Sequence, residues 1–240
     1  MKLVKLALQK ETAMPVFALV FASGVNAALV VGRVLWTGRL AYGFLIWNLF
    51  LAWLPLAFAL LAGDEYRRAS GRNWRFLTLA GAWLVFFPNA PYIFMDLIHL
   101  TTYFHAHFWV DMVLILSSAL TGLVLGFLSL YLMQSVVARM FGRVASWFFI
   151  AAVAGLSGFG ICVGRFMHFN SWDVLVQPFA LCRGIGAWFT GPLTHPASLA
   201  FPLMFATFLF LAYLMLYALT HLQQVQPIAV NETNSSVGQS

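Results

Sequence analysis

Five apolar runs, each long enough to cross a lipid bilayer, constrain this chain more than any other feature. A hydrocarbon core about 30 Å thick requires roughly 20 apolar residues per α-helix. The runs that reach this length are Pro15–Val34, Ala41–Ala62, Val110–Val137, Val144–Val163 and Ala197–Leu219. Only 8% of the residues are charged, against about a quarter in soluble domains. The sequence therefore predicts an all-α, polytopic transmembrane helix bundle.

A sixth apolar run, Trp74–Phe87, is shorter than the others. A helix of about 14 residues rises only about 21 Å, which is too little for a straight span. Pro88-Asn89-Ala90-Pro91 follows at once, and no charged residue occurs from Phe76 to Met95. We predict about six spans, with the third short and broken by proline. Irregular backbone at that depth requires burial in protein or a wet cavity.

The distribution of Lys and Arg predicts the orientation of the spans, because cytoplasmic loops carry the excess of positive charge. Nine of these residues fall on the side of the N-terminus, and four fall on the other side, namely Arg33, Arg39, Arg165 and Arg183. Both termini are thus predicted to be cytoplasmic. Residues 1–222 form a single transmembrane domain in this interpretation, and the polar residues 223–240 form a disordered cytoplasmic tail.

Three properties of the chain leave alternatives open or exclude a class of protein. The net charge is +6, but the Lys and Arg residues sit singly or in small groups between apolar runs, which argues against a nucleic-acid partner. The first run has features of a signal peptide, but Glu11 precedes it, and a retained anchor is the preferred interpretation. Cys162 and Cys182 form no metal motif, and whether they pair stays open.

Polar residues gather after the third span. Pro91 is suited to the first position of a new helix, in which Tyr92, Asp96 and His99 would share one face and Ile93 would point away from it. A carboxylate one turn from an imidazole orients the ring, as a general base or a supported metal ligand requires. The alternative is a structural one, in which Asp96 pairs with an Arg of another loop.

A second polar segment, Gly164–Asp173, lies beside the end of the fifth span and on the same predicted face of the membrane. Arg165 would bind a phosphate or carboxylate there, or act as the counter-ion of Asp96 or Asp173. Asn170 followed by Asp173 is typical of a helix start, with a side-chain cap and an acid in the first turn.

The histidines His99, His105 and His107, together with Asp111, are the residues from which a metal cluster could be built. Their spacing fits no zinc pattern, so no metal site is predicted, and the sequence identifies no cofactor. Small residues four apart indicate close helix packing inside the bundle, with dimerisation as the alternative. The pairs are Gly122 with Gly126, Gly160 with Gly164, Ala151 with Gly155, and Ala154 with Gly158.

The two polar segments resemble those of a known family. The residues that carry the resemblance are Phe87-Pro88-Asn89-Ala90-Pro91-Tyr92, Asp96-Leu97-Ile98-His99-Leu100, Gly164-Arg165-Phe166 and Asn170-Ser171-Trp172-Asp173. The chain is similar here, over roughly Ala41 to Leu219, to the bacterial membrane proteins catalogued as domain of unknown function 1361. The resemblance implies a multi-pass protein of the bacterial cytoplasmic (inner) membrane and supplies no established activity.

We predict an outward-facing polar site that binds or processes an anionic lipid or an envelope-related small molecule. The predicted catalytic residues are Asp96 and His99, and the predicted substrate-binding residues are Asn89, Tyr92, Arg165, Asn170 and Asp173. Two alternatives remain, a structural or partner-binding membrane subunit and a transporter built on the broken third span. The expected partners are the lipid bilayer and a small anionic ligand, and the sequence names no protein partner.

Overall fold

The computed structural model describes residues 13–38, 40, 42–68, 73–98, 100, 108–166, 173–190 and 197–222. Over these residues the chain is helical and forms no β-strand. The elements are α1 Ala13–Thr37, α2 Phe44–Arg68, α3 Trp74–Phe86, α4 Asn89–Tyr92, a 3₁₀ helix Ile93–Ile98, α5 Phe108–Phe141, α6 Arg143–Phe166, α7 Asp173–Val176, α8 Pro178–Thr190 and α9 Ala197–Leu222.

Six helical segments among the described residues are long and apolar enough to cross a membrane. They are Ala13–Thr37, Phe44–Arg68, Trp74–Leu97, Phe108–Phe141, Arg143–Arg165 and Ala200–Thr220. The prediction of a six-span, all-α bundle is confirmed. We call "the site end" the end of the bundle at which α1, the 3₁₀ helix and α6 finish and α2, α5 and α9 begin.

The third span is interrupted, as its two prolines predict. The helix α3 has 13 residues, and α4 begins at Asn89 with Pro88 at its cap position. The expected start at Pro91 is therefore wrong by two residues. Pro91 lies in the first turn of α4, where a missing backbone N–H costs nothing because that turn has no intrahelical acceptor.

The interrupted segment packs against α5 at two glycines. A Cβ atom added to Gly122 would lie 2.8 Å from the carbonyl oxygen of Ala90 and 2.7 Å from Cδ1 of Ile93. A Cβ atom at Gly126 would lie 3.1 Å from that of Ala90. Gly122 thus has no room for a side chain and Gly126 has little, and this pair of small residues serves internal packing.

The fifth span also packs closely at glycines, on two of its sides. A Cβ atom at Gly160 would lie 3.1 Å from Cγ of Pro88, and one at Gly158 would collide with the carbonyl oxygen of Pro202 in α9. By contrast, a Cβ atom added to Gly155 would meet no other atom within 4 Å. The predicted pair of Ala151 with Gly155 therefore lies on an exposed face of α6.

Buried polar side chains join α1 to α5 within the apolar part of the bundle. Asn26 donates a hydrogen bond to the hydroxyl of Thr121 at 3.0 Å and accepts one from Ser117 at 2.6 Å. Polar groups in lipid must find such partners inside the protein, because no water is available to them. The first span is therefore held to the bundle by specific contacts as well as by apolar packing.

At the opposite end of the bundle from the site end, aromatic packing joins α6 to α9. The ring of Trp147 lies 5.0 Å from that of Tyr217, and Tyr213 donates a hydrogen bond at 2.5 Å to buried Gln134 of α5.

The two cysteines form no disulfide and are both free thiols. Cys162 is buried and Cys182 is exposed.

Candidate functional site

Asp96 is buried inside the bundle, with only 3% of its surface exposed. The cause is local, because residues 93–98 form a 3₁₀ helix, in which positions three apart eclipse one another. Asp96 therefore shares the face of Ile93, which is fully buried. The prediction that Ile93 points away from Asp96 is wrong, because the segment is a 3₁₀ helix and both side chains are buried. Tyr92 nevertheless lies within electrostatic range of Asp96.

A polar partner for Asp96 comes from the second span. The side-chain amide of Asn48, near the start of α2, donates a hydrogen bond of 2.8 Å to Oδ2 of Asp96. A buried carboxylate without hydrogen bonds carries a large desolvation cost, so this contact stabilises its position. Sequence reasoning missed Asn48. The signal was present, since Asn48 is the lone amide in the apolar run Ala41–Ala62.

Arg165, in the last turn of α6, brings the fifth span to the same place. Its guanidinium lies within electrostatic range of the Tyr92 hydroxyl and of the Asp96 carboxylate. Arg165 and Tyr92 are both half-buried. We call Asn48, Tyr92, Asp96 and Arg165 the polar cluster. Two segments about 70 residues apart, singled out in the sequence on separate grounds, thus meet there.

The other predicted site residues are placed less centrally or not at all. Asn89 begins α4, one turn before Tyr92, and Asp173 begins α7 as the predicted acid in a first helical turn. His99 and Asn170 lie outside the described residues, as do His105 and His107. Within the described part of the chain, no three His, Cys, Asp or Glu side chains are grouped as metal ligands.

A second charged site lies at the same end, between α1 and α5. Arg33 donates from Nε to Oδ1 of Asp111 at 2.6 Å and from Nη2 to Oδ2 at 3.1 Å. The hydroxyl of Tyr42 donates to Oδ2 at 3.0 Å. The side chains of Arg33 and Asp111 are 12% and 8% exposed. We call these three residues the ion-pair cluster.

The ion-pair cluster changes the interpretation of two residues. Arg33 counts as a loop charge in the sequence, but it lies inside α1. Asp111 is a candidate metal ligand in the sequence, but its carboxylate oxygens accept three hydrogen bonds from Arg33 and Tyr42. A two-point guanidinium–carboxylate contact fixes geometry strongly. The cluster therefore holds α1, the start of α2 and the start of α5 together.

The two clusters differ in what they offer chemically. In the ion-pair cluster the carboxylate lies directly on the guanidinium. In the polar cluster Asp96 accepts a hydrogen bond from the amide of Asn48, and the half-buried Arg165 guanidinium lies within electrostatic range of both Asp96 and the Tyr92 hydroxyl. A guanidinium has five N–H donors in a planar fork that fits carboxylates and phosphates. The polar cluster is therefore the better candidate for recognising an anion.

The fold and these sites define a class, that of polytopic helical membrane proteins with a charged cluster buried at one end. Within that class, the model of the family described as proteins of unknown function, DUF1361, matches residues 47–215. Since this is more than half of the chain, the protein belongs to that family. The matched region includes the whole polar cluster, whereas Arg33 and Tyr42 precede it. Comparisons with curated proteins and with solved structures give no match.

Proposed function

We propose that the polar cluster is the binding site for an anionic group, carried by a lipid or by a small molecule of the cell envelope. The observation that carries the proposal is the position of Arg165 beside Tyr92 and Asp96. Ionisable side chains within a membrane domain are energetically costly, and they mark binding or transfer sites more often than such residues do in water. Arg165 would hold the anion, and Asp96 would orient the guanidinium.

The packing below the cluster supports a closed site rather than a transport path. From Asp96 toward the opposite end, the third span presents Ile93, Ala90, Phe87 and Trp83, and each is at most 2% exposed. The backbone of α4 also lies directly on Gly122. A transporter would need a polar route through this region, whereas these four described residues of the third span are apolar or aromatic and buried.

Catalysis is a further step of the same proposal. In it, Asp96 and His99 act as an acid–base pair on the bound molecule, and Asn89, Asn170 and Asp173 contribute to substrate binding. The proposal also places the site end at the outer face of the bacterial cytoplasmic membrane and both termini in the cytoplasm. The excess of Lys and Arg at the opposite end supports that orientation.

One observation favours a second candidate, a structural role for the same residues. Asp96 is buried and bonded to Asn48, so the cluster also locks the second, third and fifth spans together. The two candidates differ in what removal of Arg165 does. A binding role predicts loss of ligand with the fold intact, whereas a structural role predicts loss of the folded protein from the membrane.

The deciding experiment compares Arg165→Gln with Arg183→Gln. Both remove one guanidinium at the site end, but Arg183 is an exposed residue of α8. Each variant is purified in detergent, and the molecules retained by the protein are identified by mass spectrometry. We expect an anionic species with the wild type and with Arg183→Gln, reduced at least tenfold with Arg165→Gln. Equal retention by all three proteins would contradict the proposal.

Membrane abundance separates the structural alternative from the binding role. If Arg165→Gln accumulates to the wild-type level and melts at a similar temperature, a lost ligand reports on binding. If its abundance falls while that of Arg183→Gln does not, the structural role is supported. Arg165→Lys adds a finer comparison, because it keeps the charge and removes the planar fork.

A further inference from the structure

A groove between α1 and α5 opens near the ion-pair cluster and is separate from the polar cluster. Its volume is about 480 Å³, which lies within the range of about 300–1,000 Å³ for ligand sites. The walls include Ala28, Gly32 and Trp36 from α1, and Trp109 and Val113 from α5. Apart from Arg33, the lining is apolar or aromatic.

The length of the groove suits one leaflet of a bilayer. Its α1 wall runs from Ala28 to Trp36, which corresponds to about 12 Å of helix at 1.5 Å per residue. Half of a hydrocarbon core of about 30 Å is about 15 Å. An acyl chain of the leaflet at the site end would therefore lie along most of the groove.

The polar end of the groove carries the guanidinium of Arg33, which is paired with Asp111. Arg33 lines the groove, and its Nε and Nη2 atoms donate to Asp111. A guanidinium has five N–H donors, and among the described residues the other three have no hydrogen-bond acceptor. Phosphate is the acceptor that best matches a guanidinium in charge and geometry at the depth of a lipid headgroup.

Two tryptophans place this end of the groove at the membrane interface. Trp36 and Trp109 are 64% and 72% exposed, and they lie in the last turn of α1 and the first turn of α5. Indole rings concentrate at headgroup level, where one edge meets hydrocarbon and the N–H meets polar groups. Arg33 is therefore close to the level at which lipid phosphates lie.

We propose that this groove binds one phospholipid of the leaflet at the site end. An acyl chain lies between α1 and α5, and the phosphate accepts hydrogen bonds from the donors of Arg33 that Asp111 does not use. The site is distinct from the proposed anion site at Arg165, and neither proposal depends on the other. It uses residues of the first span, which precede the region that the family shares.

Filling the groove with a side chain tests the proposal. Gly32 lines the groove and has no atom within 4 Å of an added Cβ, so Gly32→Leu occupies the space without a clash at its Cβ. Gly24→Leu is the matched control, because Gly24 is also exposed on α1 and free of such contacts, and it lies outside the groove.

The proteins are delipidated in detergent and titrated with phosphatidylglycerol, and bound lipid is counted by native mass spectrometry. We expect the wild type and Gly24→Leu to bind one phosphatidylglycerol per chain more than Gly32→Leu does, with at least tenfold weaker binding of that additional lipid to Gly32→Leu. Equal binding by all three proteins overturns the proposal. If Gly32→Leu does not accumulate, Ala28→Leu replaces it in the same comparison, because Ala28 is another exposed residue of the groove wall.

A second arm tests the phosphate. Diacylglycerol with the same acyl chains fills the groove equally well but offers no phosphate to Arg33. We expect it to bind the wild type at least tenfold more weakly than phosphatidylglycerol does. Equal affinity for the two lipids would overturn the assignment of Arg33 as the headgroup ligand. Since Arg165→Gln leaves the groove intact, it should bind phosphatidylglycerol there as the wild type does.

Discussion

Asn48 donates a hydrogen bond of 2.8 Å to the carboxylate of Asp96, and this contact links the second span to the third at the site end. Hydrogen bonds to charged groups contribute about 1.5–3 kcal/mol to stability. We expect Asn48→Ala to lower the free energy of unfolding in detergent by an amount in that range. Unfolding in sodium dodecyl sulfate, followed by tryptophan fluorescence, gives the value.

A double-mutant cycle separates this hydrogen bond from other effects at the two positions. Asn48→Ala, Asp96→Asn and the double variant should give a coupling energy of about 1 kcal/mol or more, because residues in direct contact are not additive. Additive effects, with a coupling energy near zero, would show that the bond contributes nothing to stability. Phe50→Ala, at an exposed position of the same helix, supplies the baseline for α2.

The contact between α4 and α5 leads to a prediction about glycine. At Gly122 an added Cβ atom meets the backbone carbonyl of Ala90 at 2.8 Å, which neither helix relieves without moving. Gly122→Ala should therefore lower stability by about 1–3 kcal/mol, the range for overpacked cores. Gly155→Ala is the matched control, since its Cβ meets nothing within 4 Å.

The control variant Gly155→Ala should not lower the stability. An alanine has a helix propensity about 0.5–1 kcal/mol more favourable than that of glycine, so Gly155→Ala should leave stability unchanged or raise it slightly. Both variants are compared by thermal unfolding in the same detergent. A loss with Gly155→Ala as large as that with Gly122→Ala would indicate that Gly155 also lies in a close contact, such as a dimer interface.

The sequence predicted the spans well because lipid imposes a simple rule on them. Each span needs a run of about 20 apolar residues, and that rule holds whichever helices pack together. The interrupted third span was predictable for a similar reason, since Pro88 and Pro91 remove backbone donors wherever they occur. The meeting of Asp96 with Arg165 also followed in outline, from counting which loops share a face.

The sequence did not predict the local geometry around Asp96. The assumption of a regular α-helix gives 3.6 residues per turn, whereas the chain narrows to a 3₁₀ helix from Ile93 to Ile98. Residues three apart are neighbours in an α-helix as well, but the 3₁₀ helix aligns Ile93 and Asp96 on one face, and both are buried. Pairings such as Arg33 with Asp111 depend on which helices are neighbours, and a single sequence contains no direct signal for that choice.

The buried ion pair of Arg33 with Asp111 predicts a marked asymmetry between single and double variants. Removing one partner of a buried pair costs about 3–5 kcal/mol, because the other charge is left without compensation. Asp111→Asn should therefore destabilise the protein strongly. Arg33→Met combined with Asp111→Leu should recover most of that loss, since apolar replacements of buried pairs are often nearly neutral.

Removing the Tyr42 hydroxyl from the same cluster should lower stability less than Asp111→Asn does. Tyr42→Phe deletes only the hydroxyl that donates to Asp111 at 3.0 Å, and we expect a cost of about 1 kcal/mol. The four proteins are compared by unfolding in one detergent at one pH. A double variant that is less stable than Asp111→Asn would mean that the pair itself, and not the uncompensated charge, governs stability here.

The side of the membrane that the site end faces is tested by two exposed positions. Leu40, between α1 and α2, is 80% exposed at the site end, and Arg67 is exposed at the other end of α2. Single cysteines at these positions are made in a background of Cys162→Ala and Cys182→Ser. We expect a membrane-impermeant maleimide to label Leu40→Cys in intact cells and Arg67→Cys only after permeabilisation.

The reverse labelling pattern would place the site end in the cytoplasm and would contradict the orientation taken from the Lys and Arg distribution. It would also change the class of ligand, since an anion bound at Arg165 would then be a cytoplasmic one, and the phospholipid at Arg33 would belong to the inner leaflet. The cysteine-free background is the control, because it should take up no label on either side. Orientation therefore decides which compartment supplies the molecules that both proposed sites bind.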